Sequence, residues 1–188
     1  MPVLVVLDEA YVDFAEAEGL SSRLSWIGRY DNLAVLRTFS KLAGLAGLRV
    51  GYGAFPDWLL PHLWKIKQPY NVNVAASRAA IAALDDGAWL ADKLRLLVTE
   101  RERIAQELAK FAFLQPYSSH SNFVLFRVVG RSAAALKLAL EAEGILVRYF
   151  NKPGLTNCIR VSAGRPTDTD RLVAALHTIN TSQGGSPR

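Results

Sequence analysis

The sequence predicts an α/β fold in which a mostly parallel sheet is followed by a small α+β unit. Three observations predict it. Short, wholly apolar runs alternate with helical stretches over the first half of the chain. A long amphipathic segment then spans 88–111. After it the texture changes to short strands interleaved with two amphipathic helices. The expected organisation is a sheet domain over 1–87, a small domain over 88–180 opened by the long helix, and a disordered tail over 181–188.

Each element has a local reason. Val3 to Leu7 is apolar and rich in β-branched residues, without polar alternation, which suits a strand buried on both faces. Ser21 to Tyr30 reads as a short helix, Leu33 to Leu36 as a second buried strand, and Val50 to Phe55 as a third. Asp57 to Lys67 reads as a helix capped by Asp57 and ended by Pro69. Asn73 to Leu84 is alanine-rich and helical, and Asp86-Gly87 breaks it. The long helix sets Leu90, Leu94, Leu97, Ile104 and Leu108 on one face. Asn122 to Val129, Ile145 to Tyr149 and Asn157 to Ser162 read as strands. Ser132 to Glu143 is a helix stopped by Gly144, and Pro166 to Ile179 is the last helix, opened by Thr167 or Asp168. No internal repeat is visible.

Composition narrows the function classes. The 188 residues are 51% hydrophobic and 21% charged, which suits a globular chain with a real core. Lys and Arg outnumber Asp and Glu by 22 to 17, but they are scattered, without a cluster interleaved with aromatics, which argues against nucleic acid; the net charge of +5 fits a small anionic ligand equally well. The single cysteine, Cys158, excludes an internal disulfide and lies in an apolar run, where it reads as a small buried hydrophobe. No Cys/His spacing suggests a metal. No apolar run reaches about 18 residues, so no membrane span is expected. The start lacks the features of a signal peptide, which gives a cytoplasmic expectation.

Three features that carry chemistry follow in order. Asp8-Glu9-Ala10-Tyr11 ends the first strand, where a carboxylate is costly unless it meets a cation. Taken alone, Asp8 reads as the cap of the next turn. Thr38-Phe39-Ser40-Lys41 places a lysine among apolar and small residues, where lost solvation favours the neutral, nucleophilic amine. Its plain alternative is a surface lysine. Gly47-Leu48-Arg49-Val50-Gly51 sets an arginine at a strand start between glycines, suited to close approach of a phosphate. Its alternative is an ordinary surface arginine.

As an ordered set these motifs resemble the fold-type I pyridoxal-phosphate (PLP) enzymes, and specifically the class I/II aminotransferases. The resemblance implies that Asp8 pairs with the protonated pyridine nitrogen and that Tyr11 meets the ring hydroxyl. It implies that Lys41 forms the Schiff base, that Arg49 grips the cofactor phosphate, and that Thr38 and Ser40 donate to it. The phrases Asp8-Glu-Ala-Tyr-Val-Asp-Phe14, Arg37-Thr-Phe-Ser-Lys41 and Lys67-Gln-Pro-Tyr-Asn-Val-Asn73 are most similar to the histidinol-phosphate aminotransferase branch, as are Ser121-Asn-Phe-Val-Leu-Phe126, Gly144-Ile-Leu-Val-Arg148 and Cys158-Ile-Arg-Val-Ser162. That branch implies Arg160 and Arg148 as substrate-anion contacts, an amino donor and a 2-oxo acid as substrates, and a homodimer. Aromatic aminotransferases and threonine-phosphate decarboxylases share the cofactor residues and stay open as alternatives, as does a fragment without turnover. The resemblance covers the second half of such a protein. The upstream phosphate loop, ring-stacking residue and ring-hydroxyl Asn of the family lie outside these residues, so impaired activity is expected of this stretch alone.

Overall fold

The computed structural model describes residues 3–183. The chain divides into two compact units, 1–95 and 96–188. The division falls inside helix α4 (Gly87–Ala109), where the sequence reading set the boundary at its start.

The first unit holds a three-stranded sheet in the order β1 (Val5–Asp8), β2 (Leu33–Thr38), β3 (Gly51–Ala54). β1 and β2 run parallel, with Asp8 opposite Leu36. β3 is antiparallel to β2, a departure from the mostly parallel expectation at this edge. The physical reason is the connection: residues 39–50 contain only a 3-10 turn, Ala46–Leu48, and no crossover helix that could return the chain in the same direction. Gly51 is required where β3 closes on β2, because a Cβ there would meet the Arg37 carbonyl oxygen at 2.7 Å.

β2 is the buried strand, with Leu33, Ala34 and Val35 all buried. β1 is not. Among the described residues it lies at the sheet edge and exposes Val5 and Val6 by 42% and 50%. Helix α1 (Val12–Glu16), which the sequence reading did not include, follows β1 and buries Phe14. The helix expected over 21–30 shrinks to a 3-10 turn, Leu24–Trp26. Ser22 there is committed to other partners, and Gly28 adopts φ 84°.

α2 (Leu60–Ile66) begins later than expected, and Asp57 is not its cap. Pro61 occupies the first turn, where its missing N–H costs nothing. α3 (Val74–Asp85) is capped by Asn73, whose side chain accepts from the Ala76 N–H at 2.8 Å.

The second unit is a four-stranded antiparallel sheet, ordered β4 (Leu114–Pro116), β5 (Phe123–Val128), β7 (Cys158–Ser162), β6 (Arg148–Tyr149). β4 is short, ends in Pro116 and was not legible as a strand; proline is tolerated there because β4 is an edge. The expected strand 145–149 pairs only at its last two residues. Val124, Phe126 and Val128 alternate onto the buried face of β5. They join α5 (Ala133–Ala142) and α6 (Pro166–Gln183) through Leu136, Leu140, Leu172 and Leu176. Ser132 caps α5, and Gly144 adopts φ 73° just past its end. Cys158 is buried.

Two charged residues of α4 are buried in this unit. Arg101 donates to the Ser121 carbonyl, and Glu100 accepts from the Thr169 hydroxyl at 2.8 Å and pairs with Arg103. Helix α6 runs through Gln183, so the first residues of the expected tail are helical, and 184–188 lie outside the described residues.

Candidate active site

The parallel pairing of β1 and β2 brings two loops to one sheet edge. β1 ends at Asp8, and the loop carries on to Tyr11. β2 ends at Thr38, and the loop carries on through Ser40 to Lys41. The ends of parallel strands gather ligand-binding groups in this way. Asp8, Thr38, Ser40, Lys41 and Arg49 line one open cavity of about 280 Å³. Tyr11 does not line it but adjoins Lys41 from the other loop: the Lys41 Nζ lies 5.0 Å from the centre of the Tyr11 ring.

The individual groups are held by local bonds. The Asp8 carboxylate accepts from the Ala10 N–H at 3.0 Å, so it does cap the next turn, as its plain reading held, while still facing the cavity. It is exposed among the described residues. The Ser40 N–H donates to Thr38 Oγ1 at 3.1 Å, which curls the Thr38–Lys41 segment so that both hydroxyls flank the lysine loop. Lys41 is half-buried. Arg49 sits in the left-handed region at φ 54°, ψ 47°, a conformation that costs a non-glycine residue about 1–2 kcal/mol. One of its guanidinium nitrogens donates to the Ala46 carbonyl at 2.8 Å, which offsets part of that cost and aims the charge.

The donor set suits a phosphorylated aromatic aldehyde. It has a carboxylate for a ring cation, two hydroxyls and a guanidinium for a phosphate, and an amine for a carbonyl. Among the described residues no group of His, Cys, Asp and Glu is arranged to hold a metal, and no helix is long and apolar enough to cross a membrane.

Arg148 and Arg160 belong to the second unit. They face each other across the β6–β7 ladder and line a cavity of about 480 Å³. The Arg160 guanidinium lies 4.7 Å from the Phe123 ring centre and that of Arg148 5.5 Å from Phe150, so aromatic faces orient both charges.

A charged cluster that the sequence pattern did not single out adjoins the first cavity, whose lining includes its central residue, Arg37. Arg37 faces Glu9 at 3.4 Å, Glu16 at 3.6 Å and Asp13 at 3.8 Å. Burial pushes the Asp13 carboxyl above its ordinary range, although the Arg37 charge opposes the shift. Burial likewise disfavours the Arg37 charge, but Tyr52 and the carboxylates outweigh it and hold the guanidinium above its ordinary value. The available signal was the spacing of Glu9, Asp13 and Glu16, one stripe at helical period, beside an arginine inside an apolar strand.

The family model of aminotransferase class I and II matches residues 2–176. Histidinol-phosphate aminotransferase 1, chloroplastic, of Arabidopsis thaliana is 53% identical over 177 residues, covering 94% of this chain and 42% of that protein. The histidinol-phosphate aminotransferase of Roseiflexus castenholzii is 47% identical over 182 residues, covering 95% of this chain and 48% of that protein. The solved histidinol-phosphate aminotransferase of Sinorhizobium meliloti, in complex with pyridoxal-5'-phosphate, superposes with a TM-score of 0.83 at 33% identity, covering 96% of this chain and 49% of that one. The chain spans about half the length of these relatives. With the family model matching almost end to end and the motif residues gathered at one sheet edge, the chain belongs to the class I and II aminotransferases.

Proposed function

We propose that this chain carries the lysine-bearing half of a PLP-dependent aminotransferase that exchanges an amino group between histidinol phosphate and 2-oxoglutarate, working as a homodimer. The observation that carries the reading is the joint lining of one cavity by Asp8, Thr38, Ser40, Lys41 and Arg49. The identity to histidinol-phosphate aminotransferases supports the choice of substrate.

When bound, PLP supplies an electron sink conjugated to the reacting substrate carbon. Lys41 would hold the cofactor through its Nζ and, once the substrate amine has displaced it, its freed amine would carry the proton from the substrate carbon as base and acid. Its partial burial beside the Tyr11 ring limits the freedom of that amine. Asp8 keeps a proton on the ring nitrogen by its negative charge. Tyr11 donates to the ring hydroxyl. Arg49, Ser40 and Thr38 bind phosphate oxygens, the arginine by charge-assisted hydrogen bonds. Arg160 and Arg148 bind the anionic ends of the substrates.

The half-length span favours low activity in the isolated chain. Catalytic groups act together, and losing some of them costs far more than a proportional share of rate. The test is to purify residues 1–188, add PLP, and assay histidinol phosphate with 2-oxoglutarate. PLP absorbance on the protein with little turnover is the expected result. Turnover near about 10 per second, a typical enzyme median, would make the remaining half dispensable. Absence of any bound-cofactor absorbance would remove the proposed role of this cavity.

A further inference from the structure

Glu9 is held at two levels by consecutive residues of β2. Its N–H donates to the Leu36 carbonyl at 2.9 Å, the last bond of the β1–β2 ladder. Its carboxylate lies 3.4 Å from Arg37. The same carboxylate accepts from the Ser22 hydroxyl at 2.6 Å and the Arg23 N–H at 2.7 Å. Arg37 also faces Asp13 and Glu16 of α1, and its own side chain is only 18% exposed. One guanidinium thus lies within 4 Å of carboxylates from the turn after β1 and from helix α1, by charge rather than by hydrogen bonds from its Nε and Nη2, and through Glu9 it adjoins the segment at Ser22.

Asp8 immediately precedes Glu9, and the loop of Thr38 to Lys41 immediately follows Arg37. Both cavity loops therefore start one residue from this cluster. Asp8 lies opposite Leu36 in the β1–β2 ladder, and its carboxylate accepts from the Ala10 N–H. The charges paired around Arg37 add a restraint beside it, and a partly buried network is screened less than single surface pairs.

We infer that Arg37 is a positioning residue, which through Glu9, Asp13 and Glu16 sets the carboxylate of Asp8 against the lysine loop for the cofactor ring. The inference rests on the proposed PLP site. It predicts a specific order of loosening, which amide exchange reads without cofactor. In Arg37→Met the amides of Glu9, Ala10 and Arg23 exchange at least about tenfold faster, while those of β7 in the other unit are unchanged. Arg37→Lys, which keeps a charge, restores most of the protection. With PLP added, Arg37→Met displaces the pH midpoint of the bound-cofactor absorbance, because the ring nitrogen loses a fixed carboxylate, and Arg37→Lys returns it toward the wild-type value.

Unchanged exchange at Glu9, Ala10 and Arg23 in Arg37→Met overturns the inference, as does a wild-type absorbance midpoint in that variant. If Arg37→Met loosens the whole first unit, Glu9→Gln decides. It keeps the size of the side chain and an oxygen for the Arg23 N–H but removes the charge that faces Arg37, so it must shift the midpoint in the same direction, or the inference fails. If the wild-type chain gives no bound-cofactor absorbance, the PLP reading fails, while the exchange result still decides whether Arg37 clamps the turn.

Discussion

The amine of Lys41 lies over the face of the Tyr11 ring, 5.0 Å from its centre, although the two residues come from loops that follow different strands. A ring face attracts a cation by about 0.5–1 kcal/mol at partly exposed sites, so Tyr11 biases Lys41 toward one position. Borohydride reduction with PLP followed by peptide mapping should therefore place the label on Lys41. Label on Lys65, Lys67 or Lys152 would show that another amine is the reactive one. Tyr11→Phe keeps the ring and should leave the labelling site unchanged.

Arg49 combines a charge with a strained backbone. Arg49→Leu should weaken PLP binding by about 10- to 100-fold, the equivalent of a charge-assisted hydrogen bond of about 1.5–3 kcal/mol. Arg49→Gly should weaken PLP equally, yet tolerate urea better than Arg49→Leu, since glycine adopts φ 54° freely. Fluorescence titration and urea melts measure the two effects. Equal stability of the two variants would mean that the left-handed conformation carries no cost here.

Gly51 packs against the Arg37 carbonyl with no room for a Cβ. Gly51→Ala should destabilise the first unit by about 1–3 kcal/mol, a typical cost of overpacking. Faster amide exchange in β2 and β3 than in β5 and β7 would locate the damage. A neutral result in urea would show that β3 yields by simple displacement.

Asp13 should give a pH-dependent stability difference. Its folded-state pKa lies above 3.8, chiefly through burial, so ionising it in the folded state carries a penalty. The penalty is absent below the unfolded value and complete once pH passes the folded value. Asp13→Asn escapes it. Relative to wild type, Asp13→Asn should gain stability as pH rises from about 4 to about 8 in urea melts. A difference that stays flat, or that falls with pH, would show that the pairing with Arg37 outweighs burial.

The sequence by itself determined the family and the order of its motif residues. Asp8, Tyr11, Thr38, Ser40, Lys41 and Arg49 are recognisable because a cofactor with a ring cation, a carbonyl and a phosphate calls for those residue types at that spacing. It also determined the elements with strong local signals, such as α4 from its apolar face and α5 between Ser132 and Gly144. Only the tertiary structure decided that β3 runs against β2 and that Arg148 faces Arg160 across a ladder. It alone gathered Glu9, Asp13 and Glu16 around Arg37. Local pattern reports what a segment prefers to bury, because side-chain period and capping act within a few residues. Strand direction, burial and ion pairing depend on which distant segment arrives alongside, and that is set by chain connection and packing across the whole unit.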